Sequence, residues 1–233
     1  MGIAKIGWGA RAAQMSSSDL FGPGGTPRVI VVGAGFGGIG VGVKLKKAGI
    51  DTFTLYESSL GVGGTWWDNT YPGAEVDVNS NLYCYSFKSQ EWTRTHAQQS
   101  ELQKYLEETV DEFELRRHLQ LGVAVVAAAW DDERHMWAVT LDSGAVDEGH
   151  VLVSAVGFLN IPRYPEWPGL ADFAGPKFHT SRFTATAGKH KCVHPPCPSR
   201  YPDKSFRCSR CITRIITPLL LSSNRLANVC RNH

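Results

Sequence analysis

The feature that most constrains the fold of this chain is a GxGxxG loop, formed by Gly33, Gly35 and Gly38, that directly follows the apolar run 29–32. Such a run, bounded by glycine, is typical of a buried parallel strand. Gly33 permits a tight turn, Gly35 lets backbone N–H groups approach a pyrophosphate, and Gly38 lets the next helix pack closely on the strand. We expect that helix over about residues 37–48, with its positive N-terminus towards the phosphates. The loop therefore predicts a dinucleotide site.

A carboxylate stands where such a site needs one. The next apolar run, 53–57, ends in Glu57, which lies 19 residues beyond Gly38. A carboxylate at the end of the second strand accepts hydrogen bonds from ribose hydroxyls and repels a 2′-phosphate, which favours FAD or NAD over NADP at this position. The alternative is a glycine-rich turn with an exposed Glu, which the order of strand, loop, helix and strand makes the weaker interpretation.

The rest of the first 160 residues predicts one further helix and a second set of strands. The helix is expected to begin at Ser100, with Gln103 as its capping-box partner, and to end near the cationic residues 116–118. Apolar residues at helical spacing mark its buried face: Leu102, Tyr105, Leu106, Val110 and Phe113.

Strand-like runs at 123–130 and 136–141 are joined by the polar turn 131–134, which predicts a small β-meander. The run 151–156 is predicted to return as a strand of the parallel sheet. The predicted fold class is therefore α/β: a Rossmann-type FAD-binding domain with a parallel sheet, helices and a β-meander.

Composition divides the chain into three regions: a leader over 1–26, an FAD-binding domain over 27–183 and a tail over 184–233. The leader contains Ser-rich and Gly-rich stretches and no continuous apolar core, so we expect it to be flexible and not a signal peptide. An organellar transit peptide stays an alternative. The longest apolar stretch of the tail, 219–221, is far shorter than the ~20 residues that cross a bilayer, so we expect a cytoplasmic protein with no membrane partner.

The tail differs sharply from the region before it. Residues 184–233 carry nine Lys and Arg but one acidic residue, Asp203, and five of the six cysteines. We expect this tail to be aberrant and disordered, as the product of a shifted reading frame or an unspliced intron. Two alternatives stay open: a zinc site formed by Cys192, Cys197, Cys208 and Cys211, and binding to nucleic acid through the positive charge. We expect neither a metal site nor a nucleic-acid partner.

The segment 63–77, Gly-Gly-Thr-Trp-Trp-Asp-Asn-Thr-Tyr-Pro-Gly-Ala-Glu-Val-Asp, resembles the FAD- and NADPH-dependent monooxygenases of the Baeyer–Villiger type. The resemblance continues through 153–159 and through 173–183, which is similar to the family's FxGxxxHxxxW signature except that Phe183 replaces the usual Trp. It covers about residues 27–183. It also implies that His179 lies in the linker between an FAD and an NADPH domain.

The resemblance implies roles for individual residues. Thr65 and Trp66 would line the ribityl chain and ring of the flavin, Asp77 would lie near the isoalloxazine as the candidate catalytic residue, and Tyr83 would lie beside it. Val125 would offer its backbone to the adenine. The whole implied FAD-binding set is Gly33, Gly35, Gly38, Glu57, Thr65, Trp66, Asp77, Tyr83 and Val125. Two arginines that are frequent in the family are Thr70 and Glu75 here.

A complete relative uses NADPH to reduce FAD and then inserts an oxygen atom from O₂ into a ketone, giving an ester or lactone. A second GxGxxG loop is not found after Phe183, so we expect a truncated FAD domain that is inactive as this chain. Two alternatives stay open: a non-catalytic FAD-fold fragment and an N- or S-oxygenating flavin-containing monooxygenase. A flavin disulfide reductase is a third, but it needs a pair of cysteines near the flavin, where Cys84 stands alone.

Overall fold

A computed structural model describes residues 25–174 of the chain, together with Phe21, Lys177 and 179–183. Most of the leader and the whole of 184–233 lie outside these described residues. The expectations of a flexible leader, a transit peptide, a disordered tail, a zinc site and a nucleic-acid-binding tail therefore concern parts of the chain that the structure does not describe.

The first sheet is parallel throughout and has the strand order β3-β2-β1-β7. Its strands are β1 (Val29–Val32), β2 (Phe53–Glu57), β3 (Leu119–Leu121) and β7 (Val151–Ser154). The central strand β1 is apolar along its length, and Ile30 and Val31 are fully buried. A strand buried on both faces needs such a continuous apolar run, which explains why the sequence shows no polar alternation here.

In the described ranges 25–174 and 179–183, the α-helices are α1 (Phe36–Lys47), α2 (Thr65–Asp68) and α3 (Gln99–Glu112). Short 3₁₀ turns lie at Ser80–Leu82, Arg116–His118 and Thr180–Arg182. Three lysines in the last turn of α1 complement the negative end of its dipole.

The second sheet is an antiparallel meander of β4 (Val125–Asp131), β5 (Met136–Leu141) and β6 (Val146–Gly149). The turn between β4 and β5 is held by the Asp131 carboxylate, which accepts from the backbone N–H groups of Glu133 at 2.9 Å and Arg134 at 3.0 Å. A short Asp side chain that bonds backbone donors two and three residues ahead is a common way to fix such a turn.

The chain divides into two units. Of the described residues, the first comprises Phe21, 25–67, 85–89 and 103–160 and contains both sheets, whose shared core is built around Ile30, Tyr56 and Val139. The described residues of the second are 68–84, 90–102, 161–174, Lys177 and 179–183. Within the second unit, the buried Ser80 hydroxyl donates to the Thr95 carbonyl at 2.9 Å and accepts from the Ala97 N–H at 2.7 Å.

The structure agrees with the predicted fold class and corrects three details. Helix α3 begins at Gln99, and the Gln103 amide donates to the Val62 carbonyl at 2.7 Å while its oxygen has no hydrogen-bond partner, so the predicted capping box is wrong. Helix α3 ends at Glu112, before the predicted 116–118, because Glu114 adopts a left-handed φ of +53°. Strands β3 and β6 were not predicted.

Candidate functional site

The glycine loop after β1 leaves no room for side chains at two of its positions. Gly33 has φ +102°, and a Cβ atom there would lie 2.5 Å from the Ala155 carbonyl oxygen at the end of β7. A Cβ atom on Gly38 would lie 1.8 Å from the Gly33 carbonyl oxygen. Both added Cβ atoms would meet backbone oxygens, so no change of side-chain rotamer could relieve the overlap. The turn from β1 into α1 therefore requires glycine at both positions.

The N-terminus of α1 presents backbone rather than side chains. Gly35 is the N-cap and forms no side-chain capping bond, and the first turn of α1 contains no acidic residue. The first N–H groups of a helix lack partners within it, and the helix dipole adds partial positive charge there. An uncapped glycine N-terminus of this kind can accept a phosphate closely.

Glu57 lies beside this loop and is almost fully buried, with 7% of its surface exposed. Its Oε2 accepts from the Ala34 N–H at 2.8 Å, and its Oε1 accepts from the Ser59 N–H at 2.8 Å and the Ser58 hydroxyl at 3.3 Å. The carboxylate at the end of β2 is thus held in one orientation against the loop after β1. The alternative of an exposed Glu in an ordinary turn is wrong.

A second glycine loop packs against the first. The Gly63 N–H donates to the Ala34 carbonyl at 2.9 Å, and a Cβ on Gly64 would lie 3.2 Å from the Cα of Gly35. Gly63 and Gly64 also have positive φ, +128° and +54°, a conformation that glycine adopts without steric cost. The two loops together form a backbone cradle at the carboxyl end of β1.

Helix α2 follows the second loop at once and carries two of the predicted flavin contacts. Thr65 is exposed, whereas Trp66 is 7% exposed. Trp67 is 38% exposed and lies over Gly61, where a Cβ would be 2.1 Å from its ring. Val125, at the start of β4, is half-buried against the core that the two sheets share. The first unit thus contains the predicted contacts Gly33, Gly35, Gly38, Glu57, Thr65, Trp66 and Val125.

The other predicted contacts lie in the second unit. Asp77 is exposed, and Tyr83 is half-buried, with its N–H donating to the Ser80 carbonyl at 2.9 Å. His179 begins a 3₁₀ turn, where its Nδ1 lies 2.9 Å from the Ser181 hydroxyl, and its ring packs edge-to-face on Tyr164. These contacts are those of a residue that shapes the local backbone.

Sequence reasoning missed two residues that shape the cradle. Ala155 places its carbonyl against Gly33, and Gln103 fills the space in which Gly63 would carry a side chain, with its Oε1 2.2 Å from that Cβ position. Ala155 directly follows β7, so its position at the carboxyl end of the parallel sheet could have been predicted from the sequence. Gln103 comes from a distant helix, and no local pattern signals it.

The described residues contain neither a metal-binding cluster nor a membrane-spanning helix. Within the part of the chain that the structure describes, no cluster of three or more His, Cys, Asp or Glu side chains could hold a metal ion. Among the same residues, no helix has the length and apolar character needed to cross a membrane. Cys84, a described free cysteine, is half-buried, and its Sγ lies 3.4 Å from the Asn81 carbonyl oxygen.

Comparisons with known proteins agree on one family. The sequence matches the family described as "Pyridine nucleotide-disulphide oxidoreductase" over residues 30–193. A Baeyer–Villiger monooxygenase from Streptomyces coelicolor is 44% identical over 157 residues, which are 67% of this chain and 30% of that protein. A crystal structure of cyclohexanone monooxygenase with ε-caprolactone bound is 39% identical, with a TM-score of 0.63, and is matched over 69% of this chain and 32% of its own.

A structure of OTEMO in complex with FAD and NADP is 34% identical, with a TM-score of 0.64, and is matched over 70% of this chain and 32% of its own. This chain therefore spans about a third of the length of such relatives. The family match over residues 30–193 takes in the glycine loop, the meander and nearly all of the parallel sheet. The chain belongs to the pyridine nucleotide-disulphide oxidoreductase family and, within it, to the flavoprotein monooxygenases of the Baeyer–Villiger type.

Proposed function

We propose that this chain binds FAD and supplies the FAD-binding part of a monooxygenase that oxidises ketones with NADPH and O₂. The observation that carries the proposal is the backbone cradle formed by the loop 33–38 and the loop at Gly63 and Gly64, with the buried Glu57 carboxylate fixed beside it. Relatives that cover the same part of the fold include one in complex with FAD and NADP and one with a lactone bound.

The residues present fit the diphosphate and ribose of a dinucleotide. The glycine positions keep side chains away from the N-terminus of α1, so that a phosphate can approach its N–H groups. Glu57 Oε2 accepts one backbone N–H, from Ala34, which leaves a further lone pair for a ribose hydroxyl, whereas Oε1 already accepts from the Ser59 N–H and the Ser58 hydroxyl. Its negative charge disfavours a 2′-phosphate, so this position suits FAD better than NADP.

The remaining predicted residues take secondary roles in this proposal. Thr65 is exposed at the start of α2 and can bond the ribityl chain, whereas the buried Trp66 provides an apolar wall. Val125 can offer backbone groups to the adenine. The family resemblance would give Asp77 and Tyr83 roles at the flavin ring, with Asp77 as the candidate catalytic residue.

The bound flavin would supply the oxygen-transfer chemistry of this family, and the protein would bind, orient and shield it. A ketone is the proposed substrate class, and the complete enzyme would release an ester or lactone. The protein would act in the cytoplasm, without a nucleic-acid or membrane partner. A non-catalytic FAD-binding fragment is the alternative. An N- or S-oxygenating enzyme is a weaker one, because the relatives named above include a Baeyer–Villiger monooxygenase and a cyclohexanone monooxygenase with a lactone bound.

The proposal is tested by titrating the unaltered chain with FAD and NADP and by comparing Glu57→Gln with Glu148→Gln. Gln at position 57 places an N–H₂ donor against the N–H of Ala34 or Ser59, so we expect its Kd for FAD to rise about tenfold or more. Glu148 lies in β6 with a partly exposed side chain, and its substitution should leave the Kd unchanged. Tighter binding of NADP than of FAD by the unaltered chain, or equal effects of the two substitutions, would contradict the proposal.

A further inference from the structure

A phenol outside the glycine motif bonds the first turn of the helix that follows that motif. The Tyr85 hydroxyl donates to the carbonyl oxygen of Phe36 at 2.7 Å. Phe36 is the first residue of α1, and its carbonyl belongs to the same peptide group as the N–H of Gly37. Because a peptide group is planar and rigid, a bond that fixes its oxygen also fixes the direction of its N–H.

The sequence makes room for this phenol with an additional glycine. Gly40 lies outside the GxGxxG spacing, and a Cβ on it would lie 3.1 Å from the Tyr85 ring. Glycine in the interior of a helix destabilises it by roughly 0.5–1 kcal/mol relative to alanine. The glycine at this position therefore has a packing reason, which is the close approach of the Tyr85 ring to α1. The same ring also packs on Phe36, with centroids 5.2 Å apart.

Helix α3 holds the other end of Tyr85. The fully buried Tyr105 accepts from the Tyr85 backbone N–H at 2.9 Å and donates its own proton to the Lys88 carbonyl at 2.8 Å. A chain of hydrogen bonds thus runs from α3 through the segment 85–89 to the first turn of α1. All of it lies within the first unit of the chain.

We propose that Tyr85 is a positioning residue for pyrophosphate binding, acting through the Phe36–Gly37 peptide group. The proposal rests on the proposed FAD site. A hydrogen bond to the carbonyl of a peptide group polarises its N–H and makes it a stronger donor. Fixing its direction before binding also lowers the ordering cost that the ligand must overcome. The role is separate from that of Tyr56, whose hydroxyl donates to Asp147 at 2.8 Å.

The test compares Tyr85→Phe with the matched control Tyr56→Phe in the full chain, with Kd values for FAD and for ADP measured by calorimetry. Tyr85→Phe removes one hydroxyl and should raise both Kd values by the same factor, about threefold to tenfold, because FAD and ADP share the pyrophosphate. Tyr56→Phe should lower the unfolding midpoint without changing either Kd. Equal Kd increases in the two variants, or none in Tyr85→Phe, would overturn the inference while leaving FAD binding established.

A second variant separates affinity from stability. Gly40→Ala improves helix propensity, but its methyl group displaces the Tyr85 ring, so we expect weaker FAD binding in a chain that is no less stable. In the Tyr85→Phe background the same change should add no further loss, because the bond it disturbs is already absent. Additive losses would overturn the inference, as would an unchanged Kd. An unaltered chain that binds neither FAD nor ADP would overturn the proposed function and this inference together.

Discussion

The two sheets of the first unit differ in what fixes their strands and turns. In the parallel sheet, β1 is buried, and the turn after its carboxyl end packs closely against other backbone atoms. At Gly33 this leaves no room for a side chain. In the meander, residues 126–130 of β4 are exposed, and the turn that follows is fixed by a side chain, Asp131. The parallel sheet is therefore constrained by available space and the meander by polar contacts at its surface. The candidate site belongs to the first kind, so its glycines should tolerate change far less than residues of the meander.

The two sheets meet at a polar contact as well as an apolar core. Asp147 of β6 accepts from the Arg28 guanidinium at 2.5 Å and from the Tyr56 hydroxyl of β2 at 2.8 Å. Burial and the hydrogen bond to Asp147 raise the pKa of Tyr56 to about 12. This contact combines features of the two sheets: it depends on polar atoms, as the meander does, but these atoms are partly buried.

The largest effect is expected for Gly38→Ala, compared with Gly144→Ala in the turn after β5. The added Cβ at position 38 would overlap the Gly33 carbonyl oxygen, so the loop must open, and we expect a loss of about 3 kcal/mol in the free energy of unfolding. Gly144 has φ +84° but open space around it, so its substitution should cost only the left-handed strain, about 1 kcal/mol. Urea denaturation of both variants measures the difference, and equal losses would break the distinction drawn between the sheets.

An intermediate effect is expected at the contact between the sheets, and it depends on pH. Because the pKa of Tyr56 is about 12 in the folded chain and about 10 when exposed, its stabilising contribution is complete below pH ~10 and is lost as the pH rises towards 12. Two pKa units correspond to at most about 3 kcal/mol. We therefore expect the unaltered chain to be more stable than Tyr56→Phe at pH 8, by about 1 kcal/mol.

That difference should shrink or reverse between pH 10 and pH 12. Urea denaturation at pH 8, 10 and 11.5 gives the comparison, with both proteins at the same ionic strength so that other titrating groups affect them alike. A stability difference that stays constant with pH would contradict this prediction. It would show that burial beside Asp147 does not raise the pKa of the Tyr56 hydroxyl.

Elements with a local sequence signal could be predicted from the sequence. Strand β1, helix α1, strand β2 and the place of Glu57 were predicted to within about one residue, since glycine geometry and apolar runs are local signals. The buried positions of α3 were also readable from helical spacing: Leu102, Tyr105, Leu106 and Val110 are fully buried.

Long-range contacts explain what could not be predicted. Strand β3 has three residues and exists because it pairs with β2, so its sequence carries almost no pattern of its own. Strand β6 includes two acidic residues, whose side chains are bonded by Arg28 and by Arg134 from elsewhere in the chain. The roles of Gln103 and Tyr85 likewise depend on partners more than 40 residues away. The roles assigned to Asp77, Tyr83 and Val125 stay predictions.

The smallest effect is expected for the ion pair on the surface of the meander. Arg134 contacts Glu148 through two bonds of 2.6 and 2.7 Å, but both side chains are exposed, at 54% and 39%. Exposed pairs contribute little because water solvates the separated charges nearly as well. We therefore expect Arg134→Gln to leave the urea midpoint at pH 7 almost unchanged, well below the shift caused by Tyr56→Phe.

The pH dependence of this pair should have the opposite sign to that of Tyr56. The hydrogen bond from Arg134 holds the pKa of Glu148 below its ordinary value of 4.5, so any stabilisation is present above that value and is lost as the pH falls. Denaturation of the unaltered chain and Arg134→Gln at pH 3 and pH 7 measures it, with Glu148→Gln as the matched variant from the other side of the pair. A loss of stability at pH 7 as large as that of Tyr56→Phe would mean that the meander depends strongly on this exposed ion pair. The difference that we infer between the two sheets would then be wrong.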